Sequence, residues 1–598
     1  MKHAALISGI FVATLIAPTP DPRPTLRAGW FNAGEAAWNV RLVSSTKPSA
    51  SFMNPGTPGD PRLWNSDLAF TGKYVFQGNW SGYQVWDISN PAHPTLRSAY
   101  VCPGSQSDVS VYKNLLFVSS EATNARLDCG MQGIPDTVSK ERARGLRIFD
   151  ITDIGHPKYL TTVQTCRGSH THTVVPDLKD NANIYIYISG RSLVRSPNEM
   201  PGCSALMPDQ DPNSSLFRIE VIQIPLAHPD QAKIVSSPRI FEKLGQAPKH
   251  PELLEDSLAA VARHDKEVAD SLAAGRPAPI SNPQPPGAPT QCHDITVYPA
   301  LGLAGGACAG YGFILDITDV AHPVRIAAAS DVNFSFWHSA TFNNDGTKIL
   351  FSDEWGGGTQ PRCRSTDKKE WGADAIFDLA NRDKLTFRSY YKLPAPQTSN
   401  ENCVAHNGTL VPIPGRDILV QAWYQGGLSM FDWTDAAHPK EIAYFDRGPI
   451  DSTKFVMGGY WSTYWYNGYI VASEISRGLD IFELLPSEFI SKNEIAAAKL
   501  VHFDYLNAQD QPKLTWPPSI VVARAYLDQI SRDNGLPRAR TVQIGRDLDR
   551  IEKMSGSRRA ALRTLASQVD QMKSSAGDQA RVGKIVEILR QLAANPHA

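Results

Sequence analysis

The chain has 598 residues, 42% of them hydrophobic, and a formal net charge of -1 at pH 7. It is too long for one small domain and contains enough apolar residues to bury a large core. Because 59 basic residues balance 60 acidic ones, the chain lacks the charge excess typical of proteins that bind nucleic acid or anionic lipid. We therefore expect neither kind of partner.

The first residues of the chain predict export. Residues 1–17 carry Lys2 and His3, continue as an apolar run and lead into a Pro-rich segment. This pattern is typical of a secretory signal and is too short for a membrane span. No later stretch reaches the length of a spanning helix. We therefore expect a secreted, periplasmic or extracellular protein that has no membrane-spanning helix. Residues 18–62 are interpreted as an N-terminal extension.

A repeated hairpin pattern organises the next part of the chain. It is clearest in residues 336–359, where His338 opens an apolar alternation that leads to an Asn-Asp-Gly turn, a second apolar run and Glu354. Such a pattern predicts a two-stranded antiparallel hairpin. Six further copies place these residues at the position of His338: Ser66, Ser107, His170, His293, His406 and, more loosely, Trp461. Most copies precede a third strand, and repeats at this spacing predict an all-β propeller with seven blades over residues 63–485.

Four of the third strands end in the pattern D-[IW]-[ST]-[ND]-x-x-H-P. These strands begin at Tyr83, Leu146, Phe313 and Leu428, and a more divergent copy begins at Arg218. The segments resemble the LVIVD repeat of secreted bacterial β-propeller proteins, and the resemblance covers roughly residues 63–485. It implies a fold and export but no particular activity. The His-Pro pairs of these segments are interpreted as structural turns; their histidines are His93, His156, His228, His322 and His438.

The eight cysteines of an exported chain are expected to form disulfides. Their positions near the ends of the predicted strands favour four pairs: Cys102–Cys129, Cys166–Cys203, Cys292–Cys308 and Cys363–Cys403. The alternative is a thiolate metal site. The chain contains no C-x-x-C spacing, which disfavours that alternative.

Two further regions have helical patterns. Residues 241–290 combine a helical periodicity with a Pro-rich return, and we interpret them as an insertion that forms a surface helical hairpin or lid, with His250 and His264 in solvent. After Leu485 the chain changes to amphipathic segments bounded by Pro and Gly. Residues 486–598 are therefore predicted to form a C-terminal α-helical region.

The hairpin register also predicts a metal centre. The first strand of each propeller blade lines the central channel, so residues at one register form a ring. In four consecutive blades that residue is His170, His293, His338 or His406. Chance placement is improbable for only 15 histidines in the chain, although a solvated channel wall is the alternative. We predict that the four imidazoles bind one transition metal ion, Fe, Cu or Zn, with His172 as an alternative or supporting residue.

Carboxylates near the same register are candidates to orient these imidazoles by accepting a ring N–H. Glu121, Glu354 and Glu474 end second strands, and Asp67, Asp108 and Asp294 lie beside the channel. The alternative is that they cap turns. The ligand set is similar to the iron centre of the seven-bladed carotenoid-cleaving oxygenases. Six aromatic residues are expected around the same face, either as a substrate mouth or as blade packing: Trp337, Trp355, Trp423, Tyr424, Tyr460 and Trp461.

Two functions follow from these patterns. The first is an exported metalloprotein, with a metal-dependent oxidoreductase centre that acts on a small molecule at the propeller face. The second is a non-catalytic secreted or cell-surface binding module that holds a structural metal or none. A hydrolase is not indicated, because we find no G-x-S-x-G or comparable motif.

Overall fold

A computed structural model describes residues 20–248, 250–275, 291–554 and 556–595. The predicted signal at residues 1–17 and the Pro-rich return of the insertion lie outside the described residues. Within them, no helix combines the length and the hydrophobicity that crossing a bilayer requires.

The described chain is mostly β-structure with helices toward its C-terminal end. In chain order the strands are β1 (Glu35–Trp38), β2 (Val40–Thr46), β3 (Asn65–Thr71), β4 (Tyr74–Asn79), β5 (Gly82–Asp87), β6 (Thr95–Val101), β7 (Val109–Tyr112), β8 (Leu115–Ser120), β9 (Gly145–Asp150), β10 (Lys158–Gln164), β11 (Thr171–Val175), β12 (Asn183–Ser189), β13 (Glu220–Pro225), β14 (Lys233–Ser236), β15 (Cys292–Tyr298), β16 (Leu303–Cys308), β17 (Tyr311–Asp316), β18 (Val324–Ala329), β19 (Trp337–Phe342), β20 (Lys348–Asp353), β21 (Asp374–Ala380), β22 (Lys384–Tyr391), β23 (Asn407–Val411), β24 (Ile418–Ala422), β25 (Leu428–Asp432), β26 (Lys440–Arg447), β27 (Tyr460–Tyr466), β28 (Tyr469–Glu474), β29 (Gly478–Leu484) and β30 (Tyr505–Asn507). The helices are α1 (Leu254–Ala273), α2 (Lys492–Ala498), α3 (Ile520–Arg532), α4 (Arg538–Glu552), α5 (Arg558–Lys573) and α6 (Gln579–Ala594).

These strands form several small sheets. Four sheets contain four strands each, in the orders β7 to β10, β11 to β14, β15 to β18 and β19 to β22. A fifth joins β30 to β3, β4, β5 and β6, and a sixth has nine strands in the order β1-β26-β25-β24-β23-β27-β28-β29-β2. Every predicted hairpin is present, because the seven predicted copies contribute β3–β4, β7–β8, β11–β12, β15–β16, β19–β20, β23–β24 and β27–β28.

The burial of each strand follows its place in the sheet. All residues of β12 except the first are buried, which suits its nearly continuous apolar run, NIYIYIS. In contrast, β6 at the outer edge of its sheet has no buried residue. A strand that is covered on both faces needs apolar residues throughout, whereas an edge strand can carry polar ones.

The His-Pro segments form exposed turns, as predicted. In the copy that follows β9, the Nδ1 atom of His156 lies 3.0 Å from Oδ2 of Asp153. The same contact joins His322 to Asp319 at 3.0 Å, and it recurs after β25 at 2.9 Å. The aspartate three residues earlier therefore fixes the imidazole at the surface, and these histidines have a structural role.

The N-terminal segment takes part in the nine-stranded sheet. Strand β2 pairs with β29, in a register that sets Val40 opposite Leu484, and β1 pairs with β26. Residues that we assigned to an N-terminal extension therefore complete a sheet at the end of the repeat region. The last strand of that region, β29, has β28 on one side and β2 on the other.

All four predicted disulfides are confirmed, and no cysteine is free. The pairs are Cys102–Cys129, Cys166–Cys203, Cys292–Cys308 and Cys363–Cys403. They close segments with sequence separations of 27, 37, 16 and 40 residues, respectively. Each crosslink restricts the unfolded chain and thereby stabilises the folded one.

The described part of the insertion consists mainly of α1, which has no buried residue. Its first turn is fixed by Asp256, whose carboxylate pairs with Arg362 at 2.7 Å and with Arg364 at 2.8 Å. His264 is exposed, as expected. His250 differs from the expectation, because its ring lies 4.3 Å from the ring of Trp355 and is half-buried; the aromatic surface offered by the loop after β20 accounts for this contact.

The C-terminal helices form as predicted and share a separate apolar core. They are attached to the sheets through Glu494 in the first turn of α2, which completes a capping box with Ser491. The carboxylate of Glu494 also accepts hydrogen bonds from Arg532 and, at 3.1 Å, from Arg416 in the turn before β24. The region is therefore packed on the sheets by a buried ionic contact.

Between α2 and α3, residues 505–514 cross the far ends of several first strands; we call these residues the crossing segment. The side-chain amide of Asn507 bonds both main-chain groups of Val111, at 2.7 and 2.9 Å. Gln511 does the same for Phe342, at 3.0 and 2.8 Å. The crossing segment thus joins β3, β7 and β19 at the ends opposite the predicted histidines.

Candidate metal centre

The local geometry of the first strands brings the predicted histidines to one end of the sheets. His170 and His406 stand immediately before β11 and β23, and their main-chain N–H groups bond to the last residues of β12 and β24 at 3.2 and 3.1 Å. His293 and His338 lie inside β15 and β19, where the pairing register shifts in a β-bulge. A bulge redirects the side chains of its strand, so the register irregularities help to aim these two imidazoles.

The four imidazoles form a continuous series. The ring centroids of His170 and His293 are 4.5 Å apart, and the rings of His338 lie 4.0 Å from those of both His293 and His406. The Nε2 atoms of His170 and His293 are 2.8 Å apart. None of the four residues is more than 4% exposed. The structure therefore brings together all four residues that the sequence singled out.

Glu354, at the end of the hairpin that contains His338, reaches the same series. Its carboxylate oxygens lie 3.8 Å from Nε2 of His338 and 3.8 Å from Nε2 of His406. These distances are too long for hydrogen bonds. They suit ligand atoms that share one ion, each of them about 2 Å from it. Donor atoms of His293, His338 and Glu354 all lie within 4.8 Å of one another. These three residues can therefore bind one metal ion.

The second ring nitrogens of three imidazoles contact oxygen atoms. The contacts are His170 Nδ1 to Glu121 Oε1 at 2.5 Å, His293 Nδ1 to Asp294 Oδ1 at 2.9 Å, and His406 Nδ1 to the main-chain oxygen of Trp461. Acceptors at Nδ1 orient the imidazoles and leave Nε2 as the nitrogen available to a metal. The expected orienting role thus fits Glu121 and Asp294.

Among the four imidazoles, His338 has the fewest hydrogen-bond partners at its ring nitrogens. It is completely buried, and neither ring nitrogen has a hydrogen-bond partner in the described chain; the same holds for Nε2 of His406. Burial and the neighbouring imidazoles lower the pKa of His338 well below its usual value, which keeps the ring neutral. Burial also raises the pKa of Glu354 to about 7. A cation would satisfy the nitrogens and favour the ionised carboxylate.

Other ionisable groups nearby have contacts outside the series, although the buried Nε2 atom of His172 has no hydrogen-bond partner in the described chain. His172, the alternative to His170, bonds through Nδ1 to Ser119 Oγ at 2.8 Å, and burial lowers its pKa to about 3. Its ring is outside the series, so the structure favours His170. Glu474 accepts main-chain N–H groups at 2.7 Å from Gly459 and Ser476 and bonds the side chain of Arg477, which is the turn-capping alternative.

Two of the channel aspartates have other surroundings. Asp67 accepts hydrogen bonds from Tyr464 at 2.6 Å and from Asn407 at 2.8 Å, and burial raises its pKa to about 6. Asp108 is also buried, which raises its pKa well above the usual value. The described contacts join neither carboxylate to the four imidazoles.

The six predicted aromatic residues divide into two groups. Trp461 and Tyr424 lie next to His406, with ring centroids 4.7 and 4.8 Å away, and both belong to an apolar cluster that includes Trp355. The other three pack within or between sheets: Trp337, Trp423 and Tyr460. Half of the set thus borders the candidate centre.

The sequence indicated Tyr424 only as an aromatic residue of this face, not as a partner of Glu354, and it did not indicate Arg191. Tyr424 donates a hydrogen bond to Glu354 Oε1 and fixes that carboxylate. Arg191 lies with its Nη1 atom 3.4 Å from His170 Nε2. It lies two residues after β12, and Gly190 holds the position that Glu121 and Glu354 have in their hairpins, so the strand register gave no signal for it.

Comparison with known families identifies the repeat. Residues 65–101 match the model of the LVIVD repeat. The chain contains an LVIVD repeat. The matched range spans β3 through β6, so the LVIVD repeat corresponds here to one complete set of four antiparallel strands. No curated protein matches the sequence significantly.

Solved structures resemble this LVIVD-repeat protein only distantly. The periplasmic gluconolactonase PpgL of Pseudomonas aeruginosa has a TM-score of 0.39 and 11% identity, over 70% of this chain and 99% of that chain. A protein from Lactobacillus plantarum has a TM-score of 0.37 and 11% identity, over 68% of this chain and 88% of that chain. At these values the likeness carries no argument about activity.

Proposed function

We propose that this LVIVD-repeat protein is an exported seven-bladed β-propeller that binds one transition metal ion, Fe, Cu or Zn, and uses it as an oxidoreductase centre. The proposed ligands are His170, His293, His338 and His406, with Glu354 as a further ligand. The observation that carries the proposal is His338, because its buried ring nitrogens face His293, His406 and Glu354 and have no hydrogen-bond partner in the described chain.

The number of blades rests on a division of the nine-stranded sheet. Strands β23 to β26 form one set of four, and β27 to β29 with β2 form another. The two sets are joined by a short parallel pairing of Asn407 with Ser462 and Gly408 with Thr463. With the five other sheets they give seven sets, each with one of the predicted hairpins. Contact between neighbouring blades explains the short parallel pairing.

The chemistry of the ligands supports a transition metal. Neutral imidazole is a favoured ligand of Fe, Cu and Zn, and a single carboxylate leaves half of the charge of a divalent ion uncompensated. Such an ion can accept an anion or an oxygen species at an open position. The four disulfides suit an oxidising compartment and support export.

Metal analysis of the exported protein tests the proposal. We expect about one metal ion per chain, and we expect His338→Ala to lose most of it while the far-ultraviolet circular dichroism is unchanged. His322→Ala is the matched control, because that ring is exposed in a His-Pro turn. A metal content near zero, or full occupancy in His338→Ala, would contradict the proposal and favour the non-catalytic binding module.

The redox part requires a second measurement. If the ion is Fe or Cu, ferricyanide and dithionite should change its electron paramagnetic resonance signal reversibly. A site that binds only Zn after export with all three metals available would refute the oxidoreductase, because Zn²⁺ has no redox chemistry.

A further inference from the structure

Arg191 is held beside the candidate metal centre. It follows β12 and is half-buried. Its guanidinium lies over the ring of Phe336, 4.5 Å from the centroid, and its Nη1 atom is 3.4 Å from His170 Nε2. Stacking on an aromatic ring restricts the side chain, so the charged group is already positioned next to His170.

The charge of Arg191 is not neutralised by an ion pair within the described residues. Glu121 contacts His170, and no carboxylate lies within ion-pair distance of Arg191 among the described residues. Glu121 and Glu354 are nevertheless close enough to interact electrostatically with Arg191. A metal ion would add positive charge beside the guanidinium, and a bound anion would offset it.

A cavity adjoins the guanidinium. Its volume is about 290 Å³, and the residues that line it are Ser105, Glu121, Ala122, Thr123, Arg191 and Ser192. Hydroxyl groups at three of these positions can donate hydrogen bonds. The volume is at the lower end of the range for small-molecule sites, so the space suits a small organic molecule.

We propose that Arg191 binds the carboxylate of a small organic acid, which is the substrate class of the four-histidine centre. This inference rests on the proposed function. The planar guanidinium matches a carboxylate with two parallel hydrogen bonds, the lining hydroxyls can hold further oxygen atoms, and the contact with His170 places the bound acid beside the metal ligands. The acid thereby supplies the negative charge that Arg191 and a metal ion together require.

Calorimetric titration of the full, metal-loaded chain with benzoate and benzamide tests the inference, because the two probes share a shape and differ in charge. We expect benzoate to bind at least about tenfold more tightly than benzamide. Arg191→Gln should abolish that preference and Arg191→Lys should retain part of it. Arg388→Gln is the matched control, since that side chain is 43% exposed on β22, and it should bind like the wild type.

Three results would overturn the inference: no detectable benzoate binding, equal binding of the two probes, or an unchanged preference in Arg191→Gln. Inorganic phosphate that displaces benzoate and binds more tightly would also overturn it, in favour of a phosphate site. Metal content is measured on each sample to separate the two proposals. Selective benzoate binding by a chain that holds no metal would support Arg191 as the anion site while refuting the metal centre.

Discussion

The side-chain amide of Asn507, in the crossing segment, hydrogen-bonds the main chain of β7 as a neighbouring strand would. Removing this amide should leave those main-chain groups of β7 exposed. Asn507 is 2% exposed and satisfies the N–H and C=O of Val111 at 2.7 and 2.9 Å. A buried polar group that loses its partner costs about 1–3 kcal/mol, and two such groups are affected. For Asn507→Ala we therefore expect the free energy of local opening around β7 to fall by about 2–6 kcal/mol.

Hydrogen exchange measured by mass spectrometry reports this opening directly, whereas a single unfolding free energy is poorly defined for a chain of this size. A loss of about 2 kcal/mol corresponds to roughly thirty-fold faster exchange, which we expect in peptides that contain Val111. Asn114→Ala is the control, because Asn114 is exposed in the turn between β7 and β8. Exchange in Asn507→Ala that stays within about threefold of wild type would refute the argument that this amide stabilises β7.

Three further predictions concern other parts of the molecule. Glu494→Ala removes the acceptor of Arg416 and Arg532, so the C-terminal helices should be cleaved faster in limited proteolysis; an unchanged cleavage rate would contradict their attachment through this carboxylate. Cys363→Ser opens a crosslink with a sequence separation of 40 residues and should lower the calorimetric unfolding temperature, because the free energy of unfolding should fall by ~2–4 kcal/mol. An unchanged temperature would contradict a stabilising role for this disulfide. Although burial opposes ionisation, hydrogen bonds from Ser89 and Lys73 hold the pKa of Asp87 at about 2. The stability that the ionised carboxylate gives to the folded chain is therefore present above about pH 4 and is lost toward pH 2. Asp87→Asn should therefore unfold at a lower temperature than wild type at pH 6, by the equivalent of about 1 kcal/mol after screening, and at the same temperature near pH 2.

The repeated hairpins could be predicted because their signals are local. Alternation of apolar residues, a turn, and a second apolar run are all contained in about 20 residues, and the two strands pair with each other. Strands β1 and β2 carry no such signal. Their partners, β26 and β29, lie at the other end of the repeat region, and only the assembled sheet shows that the N-terminal segment completes it.

The metal centre was predictable to the extent that it follows the strand register. His170, His293, His338 and His406 could be aligned because each stands at the same position of the repeated sequence pattern, at or next to the start of a first strand. Side-chain contacts across loops could not be read in this way. Glu354 and Glu474 have the same register, but Glu354 reaches the imidazoles whereas Glu474 accepts N–H groups of its own loop, since the conformation after each strand decides where the carboxylate lies.

The pairing of β2 with β29 also bears on the order in which the chain can fold. During synthesis or export, β2 emerges early, while its partner emerges only after the rest of the repeat region. Until then both strands have unpaired edges, and contacts between such distant segments form slowly because a long loop must close first. We therefore expect the four-stranded sheets to form before β2 pairs with β29, and a late intermediate with two open edges to be the species most prone to aggregation.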